Sequence, residues 1–457
     1  MKSNIYTEFK HSMRSNNQAN CDKVFNYSFI DKLSIFTMIF LGAIYILSLL
    51  ELAIGVGLIK YNIIFAIIVS GFICSLIFDK ILKIIPIFGT LIIFFTIISA
   101  YFFDYSWDGQ TYHQTAIIAL FKGWNPFFEI NPLTAINIPS ISENGNVDIW
   151  IKHYPKSNWI LSVNFYNLTN NIETGKTINF LYATVAFGFL YSFLSKFTKF
   201  GTKFNILFSL ILTLTPITFA QMLTFYVDNS LYNLIVILTI SLLIYIKYQN
   251  KTYMLLSLIV LALLINIKFT GLIYSIAISS IIFFSHTIYT KKINTRYIKF
   301  MFYGIIFSTF ILGYNPYFTN LLQGKPLLYP VFGKGKMDVI GWQIDKNFHK
   351  QNQLKKMFCS YFSKPTNSKK YPEPQFDYQI LLPSAYKNMG YDTRINGFGS
   401  IFPILLLLSI LFFLLNLKEV NSVLFSFALI TPDGHLKIPH LWPGQNPPPS
   451  DSRTVVS

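Results

Sequence analysis

A short polar segment that follows a long apolar run carries residue types suited to acid–base chemistry. The segment reads "YSWDGQTYHQ", residues 105–114, and it follows "IIPIFGTLIIFFTIISAYFF". A carboxylate that is partly removed from water, such as that of Asp108, can act as a general base. Asp is also a preferred N-cap residue of helices, and the two roles are compatible. Asp104, one helical turn earlier, is the rival carboxylate.

Aromatic and basic side chains accompany these carboxylates. They are Trp107, Tyr112 and His113 in the same segment, and His153, Tyr154 and Lys156 in "HYPK". Lysine is a point-charge partner for phosphate, although a lysine in such a loop is also commonly a solvated surface residue. The two histidines and two aspartates fit no standard metal spacing. No cofactor is expected, a divalent metal remains an alternative that is not favoured, and each His is expected to bind a polar ligand or cap local structure.

Three further ionisable residues stand at the edges of apolar runs. Asp228 lies at a predicted membrane boundary, where a carboxylate is either a functional residue or a helix cap. Lys268 in "LINIKFTG" either extends its amine to the interface or faces a lipid phosphate. Arg394 is one of the few arginines in a lysine-rich chain. An arginine here suggests bidentate binding of phosphate or carboxylate, and an ordinary surface role is the open alternative.

The composition explains what must position these residues. The 457-residue chain is 53% hydrophobic and only 12% charged, about half the charged fraction of a soluble protein, which is roughly a quarter. It is therefore predicted to be an all-α polytopic membrane protein. The formal net charge of +17 would suggest a nucleic-acid partner in a soluble protein, but here much of the lysine lies in short loops, and no nucleic acid is expected.

About ten transmembrane helices are predicted, since a span needs about 20 mainly apolar residues. They cover 34–50, 61–78, 84–103, 177–195, 205–220, 230–246, 253–267, 271–289, 300–313 and 399–417. Lysines cluster in alternate loops, for example Lys80 and Lys83, and Lys291 and Lys292. The positive-inside rule makes that side cytoplasmic, together with the N-terminus. The first span is expected to act as its own insertion signal.

The same rule places the two long loops outside the membrane. The predicted organisation is a cytoplasmic segment 1–33 and a membrane domain 34–417, with a catalytic outer loop 104–176 and a second outer loop 314–398. Amphipathic helices are predicted in "TYHQTAIIALFKG" and "SNWILSVNFYNLT", lying flat on the membrane surface. Residues 418–457 are predicted to be a partial span followed by an atypical Pro-rich tail, the product of a truncation, a frame change or a foreign sequence.

"SWDGQTYHQTAIIALFKG" followed by "HYPKSNWI" resembles the first outer loop of the GT-C class of polyprenyl-phosphate-sugar-dependent glycosyltransferases, close to family 39 and the protein mannosyltransferase-like enzymes of bacteria. "YVDNSLYNL" with "NIKFTGLIYS", then "GYNPYFTNLLQGKPLLYPVFGK" and "RINGFGSIFPILL" follow in the expected order. The resemblance covers roughly residues 100–415. More spans precede the loop here than in the better-known relatives, which leaves Asp104 open as the carboxylate.

The resemblance implies an inverting glycosyltransferase of a bacterial plasma membrane, active at the outer face. By this resemblance Asp108 would be the general base, and Tyr112 and His113 would complete the motif. Asp228 and Lys268 would correspond to the acidic and basic residues of the pocket. The correspondence of Arg394 to a family residue is weaker. The implied partners are the bilayer, a polyprenyl-phosphate-linked sugar donor and a glycan, lipid or protein acceptor. The alternatives are a lipid-linked oligosaccharide flippase or transporter and a polysaccharide polymerase. Transporters often have internal repeats and place polar groups near the midplane of the bilayer.

Overall fold

The structure is a computed structural model that describes residues 27–79, 81–129, 147–198, 201–337, 350–365 and 376–378, together with 404, 406–408, 410, 411 and 414. The described elements are helical except for two short strands. These strands, β1 (Ser363–Pro365) and β2 (Phe376–Tyr378), pair antiparallel. The prediction of an all-α protein is therefore confirmed in its main feature.

Fifteen α-helices are described, and several have short 3₁₀- or π-helical extensions. They are α1 Phe29–Ala53, α2 Asn62–Ile77, α3 Ile84–Tyr101, α4 Gln114–Phe121, α5 Val147–His153, α6 Ser157–Thr169, α7 Thr177–Phe197, α8 Thr202–Thr213, α9 Pro216–Gln221, α10 Asp228–Tyr248, α11 Lys251–Ile265, α12 Phe269–Thr290, α13 Thr295–Ile306, α14 Thr319–Leu322 and α15 Gln353–Phe362.

Five of the described helices are long and apolar enough to cross a membrane: Phe29–Ala53, Ile81–Tyr101, Ile172–Phe197, Asp228–Tyr248 and Phe269–Ile288. A sixth arises if the segments Thr295–Ile311 and Tyr314–Leu322, which meet at a bend of 78°, form one broken span. The chain is thus a multi-pass membrane protein by the length and composition of its helices.

The predicted number of ten spans is not confirmed. Three of the predicted spans are shorter apolar helices, α2, α8 and α11, and α8 has 12 residues. A helix of that length rises only about 18 Å, whereas the hydrocarbon core is about 30 Å thick. Most of the predicted last span, 399–417, and the predicted tail 418–457 lie outside the described residues, as does most of the segment 1–33.

The core and the periphery of the helical body differ in what covers their apolar side chains. Helix α1 is enclosed by α2, α7 and α11, and Phe36 and Phe40 on it pack edge-on against Phe88 of α3. The peripheral helices instead leave large apolar side chains uncovered, among them Phe94, Ile211, Ile281 and Phe302. Such surfaces suit contact with lipid tails rather than water.

Two ion pairs mark the opposite ends of the body. Asp31 at the start of α1 accepts a hydrogen bond from Lys196 at the end of α7, with 2.8 Å between Nζ and Oδ2. Asp228 at the start of α10 pairs with Lys268, which immediately precedes α12, at 2.5 Å. Because α10, α11 and α12 alternate in direction, the second pair lies at the end of the body where α3 ends and the segment 104–129 begins.

The helices of the first long loop are more deeply enclosed than the sequence predicts. Helix α6 coincides with "SNWILSVNFYNLT", but residues 157–165 are all buried in it. It therefore lies inside the folded body instead of flat on a membrane surface. The amphipathic pattern around Ala116, Ile117 and Leu120 does form a helix with those side chains buried, and Gly123, with φ of +99°, ends it.

The second long loop begins in contact with the first. The ring of Tyr314 stacks on that of Phe127 with centroids 5.1 Å apart. The Asn315 amide donates to the carbonyl of Pro126 at 2.9 Å. Residues 314–337 therefore belong to the same end of the molecule as Asp108.

Candidate functional site

Asp108 lies in the first turn after the apolar helix α3 and is partly exposed. Its φ and ψ of −64° and −33° are helical, and its side chain makes no capping hydrogen bond. The interpretation of Asp108 as an N-cap is therefore not supported by the geometry. The hydroxyl of Tyr112, one turn later, lies 3.5 Å from Asp108 Oδ2, at the outer limit of a hydrogen bond.

A second carboxylate reaches the same place from α10. Asp228 is the first residue of that helix and follows the N-cap residue Val227, and a negative charge there is favoured by the helix dipole. It pairs with Lys268, and about a third of each side chain is exposed. Lys268 thus neither extends alone to the interface nor lies buried without a partner.

A layer of rings lies beneath these charges. Tyr154 stacks on Trp159 with centroids 5.6 Å apart, and Tyr112 lies 4.2 Å from His113 and 5.8 Å from Tyr154. Burial is the main cause that raises the pKa of both tyrosine hydroxyls. For Tyr112 the next causes are Tyr154 and then the charges of Asp108 and Asp228, and for Tyr154 they are the charges of Asp228 and Asp108. One group of aromatic side chains is therefore affected by three charged residues that are distant in sequence, Asp108, Asp228 and Lys268. We call these three residues, together with Tyr112, His113 and Tyr154, the Asp108 group.

His113 is held in one neutral form within this group. The indole N–H of Trp159 donates to its Nδ1 at 2.7 Å, so the proton of a neutral ring must be on Nε2. Burial and the nearby positive charge of Lys268 lower the pKa of His113 to about 3. Its Nε2 is buried and has no hydrogen-bond partner among the described residues.

Asp104 occupies a different environment although it is only four residues from Asp108. It is buried, and its carboxylate accepts the backbone N–H of Ser106 and of Phe225, each at 2.8 Å. Its own backbone N–H donates to Glu173, and Glu173 pairs with the buried Lys176 at 2.5 Å. This buried network joins the loop after α3 to α7 and to the chain before α10.

Lys156 is buried rather than a solvated surface lysine. Its ammonium donates to Lys152 O, Tyr154 O and Asn315 Oδ1, at 3.2, 2.8 and 2.5 Å. It also lies 5.6 Å from the ring centroids of Trp124 and Trp159. Burial lowers its pKa well below the usual range. All three N–H donors are engaged within the protein, so this conformation leaves none for a phosphate.

His153 faces away from the Asp108 group, toward the second long loop. Its Nδ1 lies 2.6 Å from Asn320 Oδ1 and its Nε2 lies 3.0 Å from the ammonium of Lys325. Burial lowers the pKa of His153 to about 4, against the opposing effect of the Asn320 hydrogen bond and assisted by three nearby lysines.

Two predicted site residues remain, Trp107 and Arg394. Trp107 is 74% exposed and points to the surface. Arg394 lies outside the described residues. Within the described ranges, no three His, Cys, Asp or Glu side chains lie close enough to hold a metal ion.

The sequence reasoning missed the structural partners of the candidate residues. Trp159, Glu173, Lys176, Asn320 and Lys325 were not among the predicted site residues. Glu173 and Lys176 are a charged pair three residues apart at the start of an apolar run, which is a detectable signal for a helix-start ion pair. Nothing local marks Asn320 and Lys325, because their partner His153 is more than 160 residues away.

Comparisons of the chain with protein-family models, with curated proteins and with solved structures found no match. The resemblance to GT-C glycosyltransferases therefore stays a prediction based on the quoted motifs.

Proposed function

We propose that this protein is a membrane glycosyltransferase that moves a sugar from a polyprenyl-phosphate donor to an envelope glycan, lipid or protein acceptor. The observation that carries the proposal is the convergence of Asp108 with the Asp228–Lys268 pair around Tyr112 and Tyr154, at one end of apolar helices. The lysine-rich loops favour placing that end at the outer face of a bacterial plasma membrane, where lipid-linked sugars rather than nucleotide sugars are the donors.

The proposed chemistry is a single displacement with inversion. The Asp108 carboxylate takes the proton of the acceptor hydroxyl, and the hydroxyl oxygen forms a bond to the anomeric carbon. The bond from that carbon to the phosphate oxygen breaks, and polyprenyl phosphate leaves with the electron pair. A phosphate leaving group needs charge stabilisation and no general acid. Lys268 supplies that charge, while Asp228 holds its ammonium in position.

The aromatic layer would serve to bind the sugar and to exclude water. Tyr112 and Tyr154 are protonated at physiological pH, since an ordinary tyrosine pKa is already about 10 and burial raises theirs further, so each offers a hydroxyl donor. The neutral His113 offers an N–H from Nε2. Such donors suit a ligand that is rich in hydroxyl groups and carries a phosphate.

The test compares surface glycan and the lipid-linked sugar pool by mass spectrometry in strains that lack the protein or carry it with Asp108→Asn. The matched control is Asp79→Asn, the same chemical change at an exposed position between α2 and α3. We expect the intact chain and Asp79→Asn to restore a missing sugar, and Asp108→Asn to fail at equal membrane levels while the donor pool accumulates. The loss should exceed about 100-fold in transfer rate. Full restoration by Asp108→Asn would refute its role as base.

A further inference from the structure

Lys325 is held in a defined position by a chain of hydrogen bonds. The Asn320 amide nitrogen donates to the carbonyls of Leu327 and Tyr329, at 3.3 and 3.1 Å. This fixes the amide orientation, so Asn320 Oδ1 must accept the proton on His153 Nδ1. His153 Nε2 is then a lone pair, and it accepts one N–H of Lys325. The ammonium also lies 4.6 Å from the ring centroid of Tyr329.

The charge of Lys325 is not balanced within the described part of the chain. Lys176 and Lys268 each have a carboxylate partner, and Lys156 has three carbonyl-type acceptors. By contrast, no described Asp or Glu oxygen lies within 4.0 Å of the Lys325 ammonium. Its neighbour His153 is neutral, and Lys152 adds a second positive charge that, after burial, lowers the pKa of Lys325.

We propose that Lys325, held in place by His153, forms a second anion-binding site for a phosphate-class group, separate from the Asp228–Lys268 pair. Lysine binds phosphate as a point charge, and the −1.5 to −2 charge of a phosphate monoester at about pH 7 attracts the Lys325 ammonium more strongly than a single carboxylate charge would. Lys325 has two N–H donors beyond the one directed at His153. The imidazole fixes the ammonium without neutralising it.

The position of this site suggests which substrate carries the phosphate. The end of α5 has two sides. Trp150 and Tyr154 contact Tyr112 of the Asp108 group, with ring centroids 6.4 and 5.8 Å away, and His153 contacts Asn320 and Lys325. A phosphate-bearing acceptor held at Lys325 would lie beside the Asp108 group, whose Lys268 is assigned to the donor. This assignment to the acceptor rests on the proposed function, but anion binding itself does not.

The test measures the thermal unfolding midpoint of the purified protein in neutral-lipid nanodiscs against inorganic phosphate, with chloride at matched ionic strength. We expect a saturable rise for the wild type, because a ligand that binds the folded state stabilises it. Lys325→Gln should weaken phosphate binding by about tenfold or more, as expected for loss of a charge-assisted bond. Lys325→Arg should retain binding, and the exposed lysine variant Lys60→Gln should match the wild type.

Two further variants separate this site from the proposed active site. Lys268→Gln and Asp108→Asn should keep the phosphate response whether or not transfer activity exists. An absent response in the wild type, or an equal response in Lys325→Gln, would overturn the site. A response lost in Lys268→Gln and kept in Lys325→Gln would move the anion to the donor pocket and equally overturn it.

The source of the phosphate is tested by repeating the titration in nanodiscs that contain 30% anionic phospholipid. If the acceptor carries the phosphate, the response of the wild type should persist there. Loss of the response, with recovery in neutral nanodiscs, would overturn the assignment to an acceptor and identify a lipid headgroup as the ligand.

Discussion

Asp104 and Asp108 are separated by one helical turn of sequence, yet they belong to regions of opposite character. Asp104 is buried, and each of its carboxylate oxygens accepts a backbone N–H within a network that includes Glu173 and Lys176. Asp108 is partly exposed, and the hydroxyl of Tyr112 lies 3.5 Å from its Oδ2. The difference teaches that a buried carboxylate bonded to backbone N–H groups stabilises the fold, whereas a partly exposed carboxylate can serve a substrate.

The largest effect on stability should come from breaking the buried network. Lys176→Met leaves Glu173 buried without its counter-charge, and we expect the free energy of unfolding to fall by about 3–5 kcal/mol. The measurement is the folded yield and unfolding midpoint in detergent. Lys60→Met at an exposed position is the control. Adding Glu173→Gln to Lys176→Met should recover part of the loss; no recovery would argue against a charge effect.

A smaller effect is expected at Gly109, which follows Asp108 in the chain and packs against Asp104. A Cβ at this position would overlap Asp104 Oδ2 and Ser106 Oγ. Gly109→Ala should therefore destabilise the protein by about 1–3 kcal/mol through steric displacement of the Asp104 carboxylate. Gly57→Ala is the matched control, since nothing lies near its Cβ position. Equal unfolding midpoints for the two variants would contradict the close packing of Asp104 against Gly109.

The burial of His113 in the Asp108 group should make the stability of the protein depend on pH. The pKa of this residue is about 3 when folded and about 6.5 when unfolded. As the pH falls below 6.5, His113 binds a proton in the unfolded chain but stays neutral in the folded chain. The free energy of unfolding therefore decreases toward acid pH. The loss reaches about 2 kcal/mol at pH 5.

His113→Gln keeps an acceptor for Trp159 but cannot bind this proton. Unfolding midpoints of the wild type and variant are compared between pH 7.5 and 5. We expect the wild type to lose more stability, while His153 contributes equally to both chains and cancels in the difference. Parallel curves would mean that His113 is not buried in its neutral form.

The smallest effect should come from the Asp228–Lys268 pair. Its side chains are about one-third exposed, and pairs of that kind contribute only about 0–1 kcal/mol. A double-mutant cycle with Asp228→Asn and Lys268→Gln measures the coupling directly. A coupling similar to that of Glu173 and Lys176 would remove the contrast between the two regions and make both ion pairs structural.

Much of the fold follows from local patterns in the chain. The apolar runs predict the positions of the described long helices, and "SNWILSVNFYNLT" predicts α6 to the residue. The number of spans does not follow, because a short apolar helix such as α8 resembles part of a span. The candidate site is predictable in its residue types but not in its pairs. The burial of Lys156 and the pairing of Asp228 with Lys268 depend on contacts between distant segments.

The sequence by itself determined that this chain is a helical membrane protein with chemically active residue types after its apolar helix α3. Hydrophobic periodicity and charge distribution are local properties, and they act before any tertiary contact forms. Only the tertiary structure decided that Asp104 is buried in a hydrogen-bonded network, that Asp108 stays partly exposed and that Lys325 donates a hydrogen bond to His153. Those outcomes depend on which distant groups packing brings within about 3 Å, because the energy of a polar contact changes steeply over that distance.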